Sequence, residues 1–184
     1  MSLAELELED LIKRAGQLNP EAIAELHNRF YPQVYKYVFY RLDDTQTCED
    51  ISSEVFLVFL DTVAKKKKRI QNLRAWLFGT ANHLVQDYYR KKYRRTDDDL
   101  AAHETLPAAN STSGEVDDLQ SRRALRSALR TLTDDQQHVL ALRFSQSLSL
   151  EDTATLMDKS VTAVKAIQFR ALAALRKQLS GGTQ

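Results

Sequence analysis

The feature that most constrains this chain is the segment 96–119. It carries seven acidic residues and no basic one, includes Pro107, Gly114 and the run Asn110-Ser111-Thr112-Ser113-Gly114, and shows no sustained apolar period. Such a composition cannot bury enough surface to offset the entropy of ordering a backbone. At about two dozen residues it exceeds the ~12–15 that loops inside a compact domain reach. The 184 residues are therefore expected to form two domains, 1–95 and 120–184, joined by a flexible acidic linker at 96–119. Each part is short and must build its own core. With only 5 glycines and 3 prolines, the chain lacks the turn residues that hairpin-rich β architectures need, and the expectation is an all-α chain of two small helical domains.

Apolar spacing supports that expectation on both sides. Leu3, Leu6, Leu8, Leu11 and Ile12 form an amphipathic stretch ending near Gly16. Asn19-Pro20-Glu21 is a helix start, with an N-cap, a proline at the first position and an acid in the first turn. Ile23, Leu26, Phe30, Val34, Tyr37 and Val38 then recur at three- and four-residue spacing, with Pro32 expected to kink or break the helix. Thr45 or Thr47 is expected to open the next helix, with apolar Ile51, Val55, Phe56, Val58 and Phe59. A long helix from about Leu73 to Arg94 closes the first part. In the second part, helical stretches begin at Ser121, at the capping box Thr133-Asp-Asp-Gln136, at Ser149 and at Ser160. The apolar positions Val139, Leu140, Leu142 and Phe144 follow the capping box.

The formal net charge of +1 conceals segregated blocks: −6 over residues 1–60, +9 over 61–95, −7 over 96–119 and +5 over 120–184. Blocks of alternating sign point to separate surfaces for separate partners. Cys48 is the only cysteine, which excludes a disulfide framework and multi-cysteine metal sites; beside Glu49 and Asp50 it reads as a buried small hydrophobe. His27, His83, His103 and His138 are scattered, and no glycine-rich phosphate loop is present, so no catalytic, metal or cofactor site is expected. No apolar run approaches the roughly 18 residues that cross a membrane. The acidic N-terminus lacks the character of a signal peptide. A soluble cytoplasmic protein is expected.

Three constellations carry chemistry. The stretches 149–157 and 160–179 form a helix-turn-helix pattern. Val161, Val164, Ala171, Leu172, Leu175 and Leu179 supply an inward face, while Thr162, Lys165, Ala166 and Phe169 share another with Arg170 beside them. Lys and Arg reach phosphates or guanine edges, and Ala or Phe can pack on a thymine methyl. An ordinary helical hairpin in a bundle would show the same periodicity. In the second, Asp87-Tyr88-Tyr89-Arg90-Lys91-Lys92-Tyr93-Arg94-Arg95, tyrosines able to stack on unpaired bases alternate with cations able to hold phosphates. The helix dipole alone also favours cations at a C-terminus. The Lys65–Arg69 cluster lies just upstream. The third, Glu49-Asp50-Ile51-Ser52-Ser53-Glu54-Val55-Phe56-Leu57, places acids 50 and 54 on one helical face, a pattern that an amphipathic core helix also produces.

In order and in register, these pieces resemble a bacterial group IV sigma factor of the extracytoplasmic-function type, the promoter-recognition subunit of RNA polymerase. Leu26-His-Asn-Arg-Phe-Tyr-Pro-Gln-Val-Tyr35 is similar to the family's region 2.1 and Glu49–Leu57 to region 2.2. Arg74-Ala-Trp-Leu-Phe-Gly-Thr-Ala-Asn82 and Asp87-Tyr-Tyr-Arg90 are similar to regions 2.3 and 2.4. Leu129–Leu140 resembles region 4.1, and Ala163–Leu172 the recognition helix of region 4.2. The resemblance implies that Asp50, Glu54 and Phe56 dock on the β′ coiled coil of core RNA polymerase, with the β flap as a second contact. It implies that Arg69 and Asn72 hold a base flipped from the minus-ten element of promoter DNA, and that Asn82, Tyr88, Arg90 and Lys91 read or clamp the opened strand. Thr162, Lys165, Ala166, Phe169 and Arg170 would lie in the major groove of the minus-thirty-five element. The acidic linker would enter the cationic RNA path of the polymerase. An anti-sigma factor is a further partner that the resemblance implies.

Three positions depart from the family pattern: Ser52-Ser53 stand where Thr-Gln is usual, Asp158 where the turn often has Gly, and Ile167 where many members carry a polar or basic residue. Asp tolerates a left-handed backbone, so the turn is expected to form at Asp158, and Ile167 is expected to make no base contact. The competing reading is an autonomous helix-turn-helix repressor or activator on duplex operator DNA. That reading needs a dimer seam, for which no heptad run is present, and leaves the basic aromatic helix unused.

Overall fold

The computed structural model describes residues 3–42, 44–65, 70–98, 124–125 and 127–180, and among these every regular element is helical. The first part contains α1 (Leu3–Ala15), α2 (Pro20–Arg41), α3 (Thr45–Ala64) and α4 (Leu73–Asp98). After a helical turn at 127–130, the second part contains α5 (Asp134–Leu140), a π-helical turn (Ala141–Ser145), α6 (Leu150–Met157) and α7 (Val161–Ser180). Residues 66–69 and 99–123, and with them Arg69 and nearly all of the expected linker, lie outside the described residues.

Local chemistry sets most helix starts. The Asn19 side chain accepts from the Ala22 amide at 2.9 Å, with Pro20 at the first position. The expected capping box at Thr133 is complete: Thr133 accepts from the Gln136 amide at 3.4 Å and its own amide donates to Gln136 Oε1 at 3.0 Å. Ser149 and Ser160 cap α6 and α7 through the amides of Asp152 and Ala163. The start of α3 differs from expectation. Asp44, rather than Thr45 or Thr47, is the cap, its carboxylate accepting from the Thr47 amide at 2.7 Å; that hydrogen bonding holds its carboxyl below the usual range.

Two other expectations are corrected. Of the kink or break expected at Pro32, the break does not occur, and α2 continues to Arg41. Pro32 and Asn28, whose carbonyl loses its helical partner, are both exposed, so water can satisfy the freed group. The long helix α4 also runs past Arg94, to Asp98.

The core of the first part follows the apolar stripes. Leu26, Phe30, Val34, Tyr37 and Val38 of α2 pack with Cys48, Ile51, Val55 and Phe59 of α3 and Leu77, Phe78, Ala81 and Val85 of α4. Trp76 meets Phe59 edge-on, ring centroids 5.9 Å apart. In the second part, Ala128, Leu129, Leu132, Leu140, Ala171 and Leu175 make one cluster, and Val139, Ala154, Val164 and Ile167 another. The two parts are not separate bodies. Ala141, Leu142 and Leu148 belong to the first part's core, and Leu156 and Met157 pack against it.

The π turn enables that docking. Its extra residue buries Ala141 and Leu142 while turning Phe144 outward, 53% exposed, so Phe144 does not join the apolar stripe expected for it. Arg143 fixes the exit by donating to the Leu148 carbonyl and, through Nε, to Gln168 Oε1 at 3.1 Å.

Asp158 adopts the left-handed conformation expected of it, φ 51° and ψ 46°, and ends α6 with its amide directed at the last carbonyls. Glycine carries no Cβ penalty at such a C-terminal position. Asp158→Gly is therefore expected to stabilise the fold by about 1 kcal/mol, read as a raised urea midpoint with unchanged slope. A lowered midpoint would mean that the aspartate side chain supports the turn.

Candidate nucleic-acid interface

Helix α7 separates its faces sharply. Val164, Ile167, Ala171 and Leu175 are buried, whereas Thr162, Lys165, Ala166, Phe169 and Arg170 are all exposed. Phe169 is 75% exposed, a large apolar group left in water between two cations. Arg170 Nε donates to the Ala166 carbonyl at 3.3 Å, holding the side chain along the helix. The inward face differs from expectation at two positions: Leu172 and Leu179 are exposed, and Ile167 takes the inner position instead. The helix has only one packed side, so its inner stripe is narrower than the sequence pattern suggested.

The residues expected at the second DNA surface lie along α4 and just before it. Asn72 is exposed and caps the helix, its Oδ1 accepting from the Ala75 amide at 3.0 Å. Arg90 and Lys91 are exposed. Arg90 pairs with Asp87, and that hydrogen bond holds the Asp87 carboxyl below its ordinary range. Tyr88 and Tyr89 are half-buried and meet edge-on at 5.6 Å. The Tyr89 hydroxyl donates to the Arg41 carbonyl at 2.6 Å, anchoring the start of the basic stretch.

Asn82 is placed differently from its neighbours on α4. Its Oδ1 accepts from Arg41 and lies 3.3 Å from the Tyr37 hydroxyl. Arg41 also donates to Tyr37 at 3.2 Å and to Gln137 Oε1 at 3.0 Å, while the Tyr37 hydroxyl lies 2.6 Å from His138 Nδ1. A polar network thus joins α2 and α4 to α5 of the second part. The sequence showed Tyr37 only as part of an apolar stripe and His138 only as one of four scattered histidines, and it did not mark Arg41 or Gln137. Histidine within the apolar run His138-Val139-Leu140 was the only signal available.

The acidic face of α3 is only partly as expected. Asp50 and Glu54 are exposed, and Asp50 accepts from Gln46 at 3.0 Å. Phe56, expected beside them, is instead buried at 8% exposure, with ring centroids 5.0 Å from His27 and 5.9 Å from Tyr31. Phe56 follows Val55 into the core because both lie on the helix side facing α2. The exposed apolar residue next to this face is Leu57, at 66%. The structure also brings out a ladder that the sequence reading did not isolate: His27, Tyr31, Tyr35 and Phe39 stack along α2 at centroid spacings of 4.6, 6.3 and 6.0 Å. Its signal was an aromatic ring at every fourth residue. Glu49 acts electrostatically on Tyr35, so the ladder and the acidic face adjoin.

Residues 26–95 match the family model of sigma-70 region 2, and residues 128–177 match that of sigma-70 region 4. The chain is 33% identical over 173 residues to the ECF RNA polymerase sigma factor BldN of Streptomyces coelicolor, covering 92% of this chain and 65% of BldN. It is 27% identical to the RNA polymerase sigma factor YlaC of Bacillus subtilis, covering 87% of this chain and 93% of YlaC. In fold it is similar to CnrH, solved in complex with the cytosolic domain of CnrY, with a TM-score of 0.67, 19% identity and coverage of 95% and 98% of the two chains. It is also similar to RpoE of Bartonella quintana, solved with the anti-sigma factor NepR, with a TM-score of 0.59, 22% identity and coverage of 85% and 96%.

Proposed function

This chain belongs to the extracytoplasmic-function sigma factors of the bacterial sigma-70 family, and on that premise we propose that it binds core RNA polymerase and directs promoter recognition and opening. The observation that carries the proposal is the exposed face Thr162, Lys165, Ala166, Phe169 and Arg170 on α7, held outward by a buried opposite stripe. Cations and an aromatic ring at this spacing suit the major groove of the minus-thirty-five element.

In this reading Asn82 reads the opened minus-ten strand, and Tyr88, Arg90 and Lys91 hold it by stacking and phosphate contact. Arg69 and Asn72 flank the flipped base, with Asn72 positioned by its own capping bond. Asp50 and Glu54 dock on the β′ coiled coil, and Phe56 supports that surface from beneath rather than touching the polymerase. The domain boundaries 1–95 and 120–184 belong to this reading, as do the acidic linker in the RNA path, the β flap contact and a cytoplasmic location. Opening draws on binding energy alone, without catalysis by this chain. An anti-sigma partner is also part of the proposal, as RpoE of Bartonella quintana was solved with the anti-sigma factor NepR.

The test is to mix the purified protein with bacterial core polymerase lacking any sigma factor. A one-to-one complex on a sizing column is the expected result. No complex, together with tight salt-sensitive binding of the free protein to duplex DNA, would replace this reading with an autonomous repressor or activator.

A further inference from the structure

We propose that Tyr37, Arg41, Asn82, Gln137 and His138 form an internal latch that closes the second part of the chain onto the first, withholds Asn82 from DNA, and releases when His138 gains a proton. The role given to Asn82 rests on the function proposed above; the latch itself rests on geometry.

The contact is a built interface. Ala141, Leu142 and Leu148 enter the core formed by α2, α3 and α4, and the Gln146 side chain donates to the Gln33 carbonyl at 3.0 Å. At its polar centre, Arg41, Tyr37 and His138 are all buried. Arg41 donates to the Tyr37 oxygen, and the Tyr37 hydroxyl lies 2.6 Å from His138 Nδ1. A neutral His138 with its proton on Nε2 lets Nδ1 accept the Tyr37 proton at that distance. Asn82 Oδ1 is taken by Arg41. The DNA face of α7 is left open in the same arrangement. Through Gln137, which holds the Arg41 guanidinium, closure ties down Asn82, while Asn72, Arg90, Lys91 and the DNA face of α7 stay exposed.

The latch is poised to break because its charge is poorly compensated. The Arg41 guanidinium donates to Tyr37, Asn82 and Gln137, all neutral, and its Nε has no partner among the described residues. A buried cation served only by dipoles is costly, and protonating His138 would place a second positive charge across the Tyr37 oxygen from it. From α2 the facing groups are Tyr37 and Arg41, and from α4 the neutral Asn82. Asp135 on the same helix favours the proton, and Lys159 before α7 opposes it. Lys159 is itself paired with Asp135 at 3.1 Å, which offsets much of that carboxylate's pull.

Burial first, and Arg41 second, pull the His138 pKa down to about 3 in the closed form. Once exposed, it returns toward the ordinary value of about 6.5. The group is depressed when closed, so closure is fully favoured above about pH 6.5 and loses about tenfold in its equilibrium for each pH unit below it.

The test compares the full-length wild type with His138→Gln, which stays neutral and can still accept from Tyr37. On going from pH 7.5 to 5.5 the wild type is expected to expand in small-angle scattering and to bind single-stranded minus-ten DNA about tenfold more tightly. Circular dichroism should show constant helix content. His138→Gln should show neither change, and binding of duplex minus-thirty-five DNA should respond alike in both proteins. A wild type that neither expands nor tightens, or a His138→Gln chain that responds as wild type does, overturns the latch. Expansion without tightening supports the latch and overturns instead the strand-binding role of Asn82.

Discussion

Asp50→Arg combined with Glu54→Arg is expected to weaken binding to core polymerase by more than about 100-fold while leaving the fold intact. The two carboxylates lie four residues apart on one face of α3 and are exposed. Among the described residues Asp50 has one hydrogen bond, from Gln46 on the same helix. Neither side chain supports the core, which α3 builds from Cys48, Ile51, Val55, Phe56 and Phe59 on its other side. Reversal turns two negative charges into two positive ones against a partner surface of fixed sign, and like-charge juxtaposition at an interface costs several kcal/mol. Titration of fluorescently labelled protein with core polymerase would read the loss. Wild-type affinity in the variant would remove the acidic face from the docking surface and direct attention to the adjoining aromatic ladder of Tyr31, Tyr35 and Phe39.

Lys165→Ala combined with Arg170→Ala is expected to lower affinity for minus-thirty-five duplex DNA by about 10–100-fold and to reduce the salt dependence of binding by about two counterions. Both side chains are exposed, and the structural contact recorded for Arg170 is a 3.3 Å bond to a carbonyl of its own helix. Folding stability should therefore hold within about 0.5 kcal/mol. Polymerase binding should also be unchanged, because Asp50 and Glu54 lie on a different helix in the other part of the chain. An equal loss of polymerase and DNA binding would contradict that division of labour. A loss of affinity with no change in salt slope would assign the two cations to packing around Phe169 rather than to phosphates.

Local features were readable in the sequence, and contacts across the chain were not. Caps at Asn19, Thr133, Ser149 and Ser160 depend on residues three positions away, so spacing alone revealed them. The left-handed turn at Asp158 and the outward face of α7 were legible for the same reason. Asp44 was missed as a cap because two threonines competed for the role; the carboxylate accepts more strongly and also bonds the Thr47 hydroxyl. Val58 and Leu172, both exposed, were misplaced because periodicity gives the angle of a stripe but not its width, which the neighbouring helix sets. The π turn at 141–145 has no periodic signature. It decides that Leu142 enters the first part's core and Phe144 does not. The network of Tyr37, Arg41, Asn82 and His138 joins residues 41 to 101 positions apart, beyond the reach of any local pattern.

A sigma factor gives core polymerase the ability to open a promoter. The most direct measurement is permanganate reactivity of thymines in the minus-ten region of candidate promoter DNA, with core polymerase and this protein present together and separately. Reactive thymines are expected only when both are present and without any added nucleotide, with the signal lost in Asp50→Arg/Glu54→Arg. Unreactive thymines on every promoter tested, despite a stable complex with the polymerase, would contradict that role for this chain.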